Sequence, residues 1–318
     1  PLRASFFGGG TDFASYFKNS KLGYGTVIST TLDMYVYIIV SKRFDAKIRI
    51  AYNGNELVDQ VSEIKHNIIR EALKMLDITS GIEIVYLANI PMTNLGLGLA
   101  SSSALAVGVL NALHTYKGEK VTKEQLAQEA CDLEINHLHQ QIGIQDQYTV
   151  AYGGFNRYVF NKNETVEVTP LIFPDKLKNN LLLFYTGNPH DSKEIFKEQN
   201  NNLKTKTIIF DSLVSYTNQA LEYLQNEEYD KFGSFLDECW QIKKQFASGV
   251  SNAAIDDMYL KALNAGALGG KILGAGGGGF LLLYVKEADQ LKVKAALKDY
   301  LEIKFNTSDS GSQIVYED

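Results

Sequence analysis

The chain has 318 residues, a formal net charge of −6, 45% hydrophobic and 21% charged residues. This is ordinary globular usage, which excludes wholesale disorder; at roughly 100–200 residues per domain it makes two domains or one large one. The acidic balance excludes the basic stripe that a nucleic-acid backbone requires, and no run of about 18 apolar residues is present to cross a membrane.

The opening Pro1-Leu2-Arg3 runs straight into Ser5-Phe6-Phe7 and a glycine run, which does not read as a secretory leader. The only cysteines are Cys131 and Cys239. Two thiols make neither a disulfide framework nor a zinc site, so a reducing cytoplasm is the expected setting. In chain order, Val27–Thr31, Met34–Ser41 and Lys47–Tyr52 read as strands, being β-branched, aromatic or alternating. Ser62–Leu76 carries a helical stripe at Ile64, Ile68, Ile69, Ala72, Leu73 and Leu76. Ile82–Ala88 is a strand, followed by a loop over 89–102 and an apolar helix from Ser103 to Tyr116. Thr122–Leu138 reads as a helix opened by a capping box of Thr122 and Gln125. Phe155–Phe160, Thr165–Val168 and Leu181–Thr186 read as strands. The second half turns helical, over Asp191–Gln225, Tyr229–Phe246 and Ile255–Ala267. A glycine run then leads into strand Phe280–Val285 and helix Ala288–Leu301. A domain boundary is expected near 165–180.

Three glycine segments interrupt this pattern. In Gly8-Gly9-Gly10-Thr11-Asp12 the glycines allow close approach to a ligand, and Asp12 can accept hydrogen bonds from sugar hydroxyls; a glycine turn with an Asx cap is the other reading. In Pro91–Ala104 (PMTNLGLGLASSSA), Gly96 and Gly98 free the backbone ahead of Ser101, Ser102 and Ser103 at a helix start. Free N–H groups and the positive dipole end there suit a phosphate, and a serine hydroxyl there can ligate Mg²⁺; plain serine capping is the alternative. No Gly-Lys-Ser/Thr follows, so this is not a Walker A loop. The third segment, 274–279, formally matches GxGxxG, but a strand follows it rather than a helix. It is read as a loop pressed against another backbone or a ligand.

Phosphoryl transfer to a hydroxyl requires a metal across the phosphates, a carboxylate at the hydroxyl and cations for the equatorial charge. Glu134 fits a metal ligand, Asp146 fits the carboxylate at the hydroxyl, and Arg3, just ahead of the first strand, fits the cation. By spacing alone a solvated surface pair of acids is the plainer reading. His137 and His139 fall on different helix faces, which argues against a metal pair. His190 follows a buried strand and is a substrate-contact candidate.

PLRASFFGGGTDF, GLASSSA and GAGGGG, in this order across the chain, resemble the GHMP small-molecule kinases. Within them, GGGTDF, VISTTLDMYVYIIV, IIREALKML, IGIQDQYTVAYGG, LLLFYTG, CWQIKKQFASGVSN and AGALGGKILGAGGGGFLLLYV look most like the D-glycero-D-manno-heptose 7-phosphate kinases. The resemblance implies a two-domain α+β fold. Residues 1–172 would form an S5-domain-2-like ATP-binding domain and 173–318 a ferredoxin-like C-terminal domain. It also implies ATP and Mg²⁺, phosphorylation of an anomeric hydroxyl to heptose 1,7-bisphosphate, and a small sugar phosphate as substrate, with neither nucleic acid nor membrane as a partner. By the same carry-over, Gly96, Gly98, Leu99, Ala100, Ser101, Ser102 and Ser103 bind nucleotide, and Ser102 and Glu134 hold the metal. Asp146 and Arg3 are catalytic, and Gly10, Thr11 and Asp12 bind sugar, to which the reading of the residues themselves adds His190. Lys243 or Lys244, after Trp240, is our own candidate for the substrate's 7-phosphate. The chain departs from the family's usual Gly-Leu-Gly-Ser-Ser at Ala100, has about three extra residues after Pro91, and carries Pro189-His190-Asp191 where the heptose kinases usually show Arg. A kinase for galactose, fucose or a uronic acid, and a silent sugar or nucleotide sensor, are the rival readings.

Overall fold

The computed structural model describes residues 1–90, 98–187, 192–203 and 207–318. The first half opens with β1 (Leu2–Phe7), α1 (Ala14–Phe17), β2 (Tyr24–Leu32), β3 (Val36–Lys42), β4 (Ile48–Ala51) and β5 (Asn55–Val58). Arg3 lies inside β1 opposite Thr31, not ahead of the strand. The helix expected over 62–76 is divided into a 3₁₀ turn, Val61–Glu63, and α2 (Asn67–Met75). The Glu56 carboxylate accepts the backbone N–H groups of Lys65 at 2.6 Å and His66 at 3.1 Å, which draws the chain out of helical register between them. β6 (Ile82–Ala88) follows.

α3 (Ser101–Tyr116) buries apolar residues on nearly every face and runs through the core. α4 (Lys123–Cys131) is capped by Thr122, whose hydroxyl accepts the Gln125 N–H at 3.1 Å. The Gln125 side chain instead donates to Glu129 at 2.8 Å, so only half of the expected capping box forms. α4 does not stay α-helical to Leu138; Asp132–His137 widens into a π-turn. α5 (Gln145–Tyr152) has no counterpart in the sequence reading, because it is short, rich in β-branched and aromatic residues, and buried on most sides.

β7 (Phe155–Asn161), β8 (Val166–Pro170), α6 (Asp175–Asn179) and β9 (Leu181–Tyr185) lead into α7 (Ser192–Asn202), α8 (Thr207–Gln225), α9 (Tyr229–Lys243) and α10 (Ala253–Asn264). The single helix expected over 191–225 is therefore two. β10 (Ala267–Ile272) was not anticipated, because Ala267 reads as the end of the preceding helix. β11 (Phe280–Val285), α11 (Gln290–Ala296), β12 (Leu301–Glu302) and β13 (Thr307–Ser308) close the chain.

The strands form three sheets, ordered β1-β2-β7-β8 with β13 also on β2, β3-β6-β4-β5, and β10-β11-β9-β12. The last comes wholly from residues after 172, and the other two from residues before it except β13, which returns to pair with Leu32 and Thr31. β11, Phe-Leu-Leu-Leu-Tyr-Val, is buried along its whole length, as a continuous apolar run in a covered sheet should be. Aromatic packing joins the halves: Phe7 of β1 meets Phe232 of α9 edge-on, with ring centroids 4.9 Å apart. That contact sets α9 and β10 beside β1, and the cleft described next opens between them. Among the described residues, no helix is long and apolar enough to cross a membrane.

Candidate active site

A cleft of about 1180 Å³ brings together residues from both halves, including Arg3, Asp12, Ser102, Glu134, Asp146 and Lys243. At its centre Arg3, 2% exposed, clamps Asp146 bidentately: Nε donates to Oδ1 at 2.7 Å and Nη2 to Oδ2 at 2.8 Å. Nη1 donates to the Gly98 carbonyl at 2.6 Å, and the Arg3 backbone N–H donates to the Leu99 carbonyl at 3.1 Å. One residue thus ties the glycine loop before α3 to the acidic group at the start of α5. Two of the five guanidinium N–H groups remain for a ligand.

The loop is shaped by backbone contact. Gly98 has φ +79°, and a Cβ there would lie 2.3 Å from the Leu273 carbonyl oxygen; a Cβ on Gly274 would meet the Gly98 Cα at 2.4 Å. The third glycine segment is therefore pressed against the second, as the sequence suggested. Leu99 is fully buried, so its side chain faces the core rather than the cleft. Ala100 sits left-handed at φ 62°, ψ 33°, just before α3. An alanine there carries strain of about 1 kcal/mol that glycine avoids. Glycine's greater freedom in the unfolded chain offsets part of that gain. Ala100→Gly is therefore expected to stabilise the protein by about 0.5 kcal/mol, and Ala100→Val to cost about 2 kcal/mol. Urea denaturation of the two variants measures this, and a glycine variant weaker than wild type would show that the backbone is unstrained.

α3 begins at Ser101, and Ser101, Ser102 and Ser103 line the cleft. Ser102 Oγ donates to Glu134 Oε1 at 2.5 Å, Ser103 Oγ to Oε2 at 2.7 Å, and Gln147 Nε2 to Oε2 at 2.6 Å. Glu134 lies in the π-turn at 0% exposure. Burial raises its pKa, which the three hydrogen bonds oppose and the nearby Asp146 charge reinforces. Ser102 and Ser103 both commit a hydroxyl proton to Glu134; Ser103 is buried, whereas Ser101 and Ser102 are half-buried at the cleft edge. Among the described residues no group of three or more His, Cys, Asp or Glu side chains could hold a metal ion. The Ser102–Glu134 pair still suits Mg²⁺, which is commonly held by one or two carboxylates plus phosphate oxygens and water.

Asp12 is anchored rather than free. Its Oδ1 accepts the Gly10 N–H at 2.8 Å and its Oδ2 the Gln145 N–H at 3.2 Å. A Cβ on Gly143 would lie 1.9 Å from Oδ2, so only glycine admits the carboxylate there. Burial raises the Asp12 pKa, with the Asp146 charge adding to it and the backbone N–H groups opposing it. Thr11 is buried, and its hydroxyl donates to the Gly8 and Thr26 carbonyls, so it braces the glycine run. Gly10 lines the cleft. Gly96 and His190 lie outside the described residues.

The two lysine candidates separate. Lys243 lines the cleft, whereas Lys244 pairs with Asp256 at 3.6 Å. Three further cleft features escaped the sequence reading. Lys271, in Gly-Gly-Lys-Ile-Leu, is a cation on a strand otherwise buried, and that incongruity was the available signal. Gln145 precedes Asp146 and lines the same wall. At another part of the cleft, Tyr52 and Tyr86 stack with centroids 5.7 Å apart and His66 stands edge-on to both. His66 Nδ1 accepts the Ile69 N–H at 3.5 Å, leaving Nε2, 3.2 Å from the Tyr86 hydroxyl, as the donor. Burial lowers the His66 pKa, in keeping with a neutral ring.

The family model for the GHMP kinases N terminal domain matches residues 64–154, and that for the GHMP kinases C terminal matches residues 220–303. A mevalonate kinase from Thermococcus sibiricus is 30% identical over 250 residues, covering 76% of this chain and 70% of that protein. The chain is a GHMP kinase. A D-glycero-alpha-D-manno-heptose 7-phosphate kinase from Campylobacter jejuni is 27% identical to this GHMP kinase over 320 residues, covering 94% of this chain and 91% of that protein. The crystal structure of a D-glycero-D-manno-heptose 1-phosphate kinase from Bacteroides thetaiotaomicron superimposes with a TM-score of 0.81 at 23% identity, covering 100% of this chain and 98% of that one. The two-domain α+β fold of a GHMP kinase, and its class as an ATP-dependent phosphotransferase, follow from these matches.

Proposed function

We propose that this GHMP kinase is a sugar kinase that transfers the γ-phosphoryl group of ATP to the anomeric hydroxyl of a heptose 7-phosphate, giving heptose 1,7-bisphosphate. The likeness over nearly full length to the Campylobacter jejuni heptose 7-phosphate kinase supports the substrate. The observation that carries the chemistry is the Arg3–Asp146 clamp, tied through Gly98 and Leu99 to the start of α3.

In this reading the half formed by 1–172 holds the nucleotide and 173–318 closes over the acceptor. The ATP phosphates rest on the free N–H groups of Ser101 and Ser102 at the start of α3. The adenine lies toward Tyr52, His66 and Tyr86. Ser102 and Glu134 would hold Mg²⁺, which would supply positive charge to neutralise the nucleotide's phosphates. Asp146 attracts the proton of the acceptor hydroxyl as its oxygen bonds to the γ-phosphorus and the bond to ADP breaks. The remaining Arg3 N–H groups steady the charge on the transferring oxygens.

A panel assay of ADP release with Mg-ATP tests the substrate. Heptose 7-phosphate is expected to exceed galactose, fucose, uronic acids and mevalonate in kcat/KM by ~100-fold or more. Its product should carry a new phosphate on the anomeric carbon by ³¹P NMR. A preference for galactose or fucose would remove the heptose assignment and leave the kinase. Nucleotide binding with no ADP release from any sugar would favour a sensor.

A further inference from the structure

The charges in the cleft do not cancel locally. Arg3 is matched by Asp146, Glu134 is held by two serines and Gln147, and Asp12 is held by backbone N–H groups. Among the described residues, two buried cations that line the cleft, like the two buried anions Glu134 and Asp12, have no ion-pair partner. Lys271 on β10, 6% exposed, donates from Nζ to the Phe6 carbonyl at 2.9 Å. That carbonyl belongs to the bulge where the β1–β2 register slips between Ser5 and Phe7. Lys243 at the end of α9, 8% exposed, donates from Nζ to the Ile272 carbonyl at 3.0 Å and to the Gly274 carbonyl. Among the described residues neither ammonium has a carboxylate within ion-pair distance. Burial lowers both pKa values, Lys271 to about 8 and Lys243 well below its ordinary range; the Arg3 charge adds to this in both, and the Asp12 charge opposes it.

Two polar atoms nearby also lack partners. Ser5 Oγ and Gln145 Oε1 are buried without a hydrogen bond, on residues 4% and 9% exposed that line the same cleft. They flank Gly9, where a Cβ would lie 3.3 Å from Gln145 Nε2 and 3.7 Å from Ser5 Oγ. A buried ammonium without a counter-charge costs several kcal/mol, and an orphaned buried acceptor about 1–3 kcal/mol. A ligand that brings an anion to the lysines and a hydroxyl to Gln145 removes both penalties. Each lysine has three N–H donors; Lys271 uses one and Lys243 two, so three remain, matching the three terminal oxygens of a phosphate monoester.

We propose that Lys271 and Lys243, with Ser5 and Gln145, form a second anion subsite that receives the phosphate monoester carried by the acceptor, Lys271 being the residue that selects for it. The inference rests on the kinase reading above and adds the residues that would read the acceptor's phosphate, with Lys271 as a specificity residue. The nucleotide's own γ-phosphate has the same chemistry, and the experiment separates the two sources.

The test compares wild type with Lys271→Met and Lys271→Gln, the second keeping a donor for Phe6. ADP release is measured with heptose 7-phosphate and with unphosphorylated heptose. Separately, inorganic phosphate is titrated into the complex with a non-hydrolysable ATP analogue, with melting temperature as the readout. Removing a charged hydrogen bond should raise the KM for the phosphorylated acceptor by ~30-fold, about tenfold more than it raises the KM for ATP or for the unphosphorylated acceptor. Phosphate should raise the melting temperature of the wild-type nucleotide complex and not that of the variants. An ATP KM that rises as much as the acceptor KM, or equal effects on the two acceptors, would overturn the subsite. If heptose 7-phosphate is not turned over, the phosphate titration still decides. Stabilisation lost on substitution upholds an anion subsite while the heptose assignment falls, and no stabilisation of the wild-type complex overturns the subsite itself. That last readout also stands should neither variant fold.

Discussion

Asp146→Asn is expected to lower kcat by about 10²- to 10⁴-fold, the range for a group that handles a proton in the transition state. Asn keeps the volume and position at the first turn of α5 but removes the negative charge that both Arg3 N–H donors address at 2.7 and 2.8 Å. The groups assigned to the nucleotide, the start of α3 and the Ser102–Glu134 pair, are untouched by the change. Affinity for a non-hydrolysable ATP analogue should therefore stay within threefold or tighten, since the substitution leaves Arg3 without its counter-charge beside an incoming anion. Single-turnover kinetics and calorimetric titration of the same preparation measure the two quantities. A variant turning over within threefold of wild type would exclude Asp146 from the chemistry. Equal losses in kcat and nucleotide affinity would make it a binding residue.

Glu134→Gln should act on the metal requirement. Glu134 is fully buried and accepts from Ser102, Ser103 and Gln147, so its charge is compensated by neutral donors alone in the absence of a cation. Burial raises its pKa, so ionising it costs the metal-free protein stability and Mg²⁺ would return that stability on binding. Gln preserves the shape and removes the charge. The Mg²⁺ concentration for half-maximal turnover is expected to rise by about 10-fold or more, with kcat/KM falling roughly 100-fold. The melting temperature without ligands should shift little, while the rise on adding Mg-ATP should disappear. An unchanged Mg²⁺ titration would show that the carboxylate serves only to hold the serines.

Much of the strand and helix content was legible in the residues. β11 and α3 announce themselves through unbroken apolar runs, and Val36–Lys42 through alternation along a half-covered sheet. The failures came where a tertiary contact overrides local preference. The Glu56 carboxylate splits the helix expected over 62–76, the π-turn that carries Glu134 ends α4 early, and α5 exists because it is enclosed on most sides. None of these has a periodic signature, because the deciding partner is distant in sequence.

For the site, the amino-acid sequence alone determined the parts: glycine runs where backbones must meet, serines at the start of a helix, and acids and a basic residue of the kind phosphoryl transfer needs. It carried these as residue types at spacings, which limits what each can do. Only the folded chain decided which of them act together. Arg3 and Asp146 are 143 positions apart and bond at 2.7 Å. Lys243 turns into the cleft while its neighbour Lys244 turns out to Asp256. Lys271 gains its setting from a bulge at the opposite end of the chain. Burial and pairing set the charge, reach and cost of an ionisable group, and both belong to the packing of elements remote in sequence, so they become definite only once those elements are in contact.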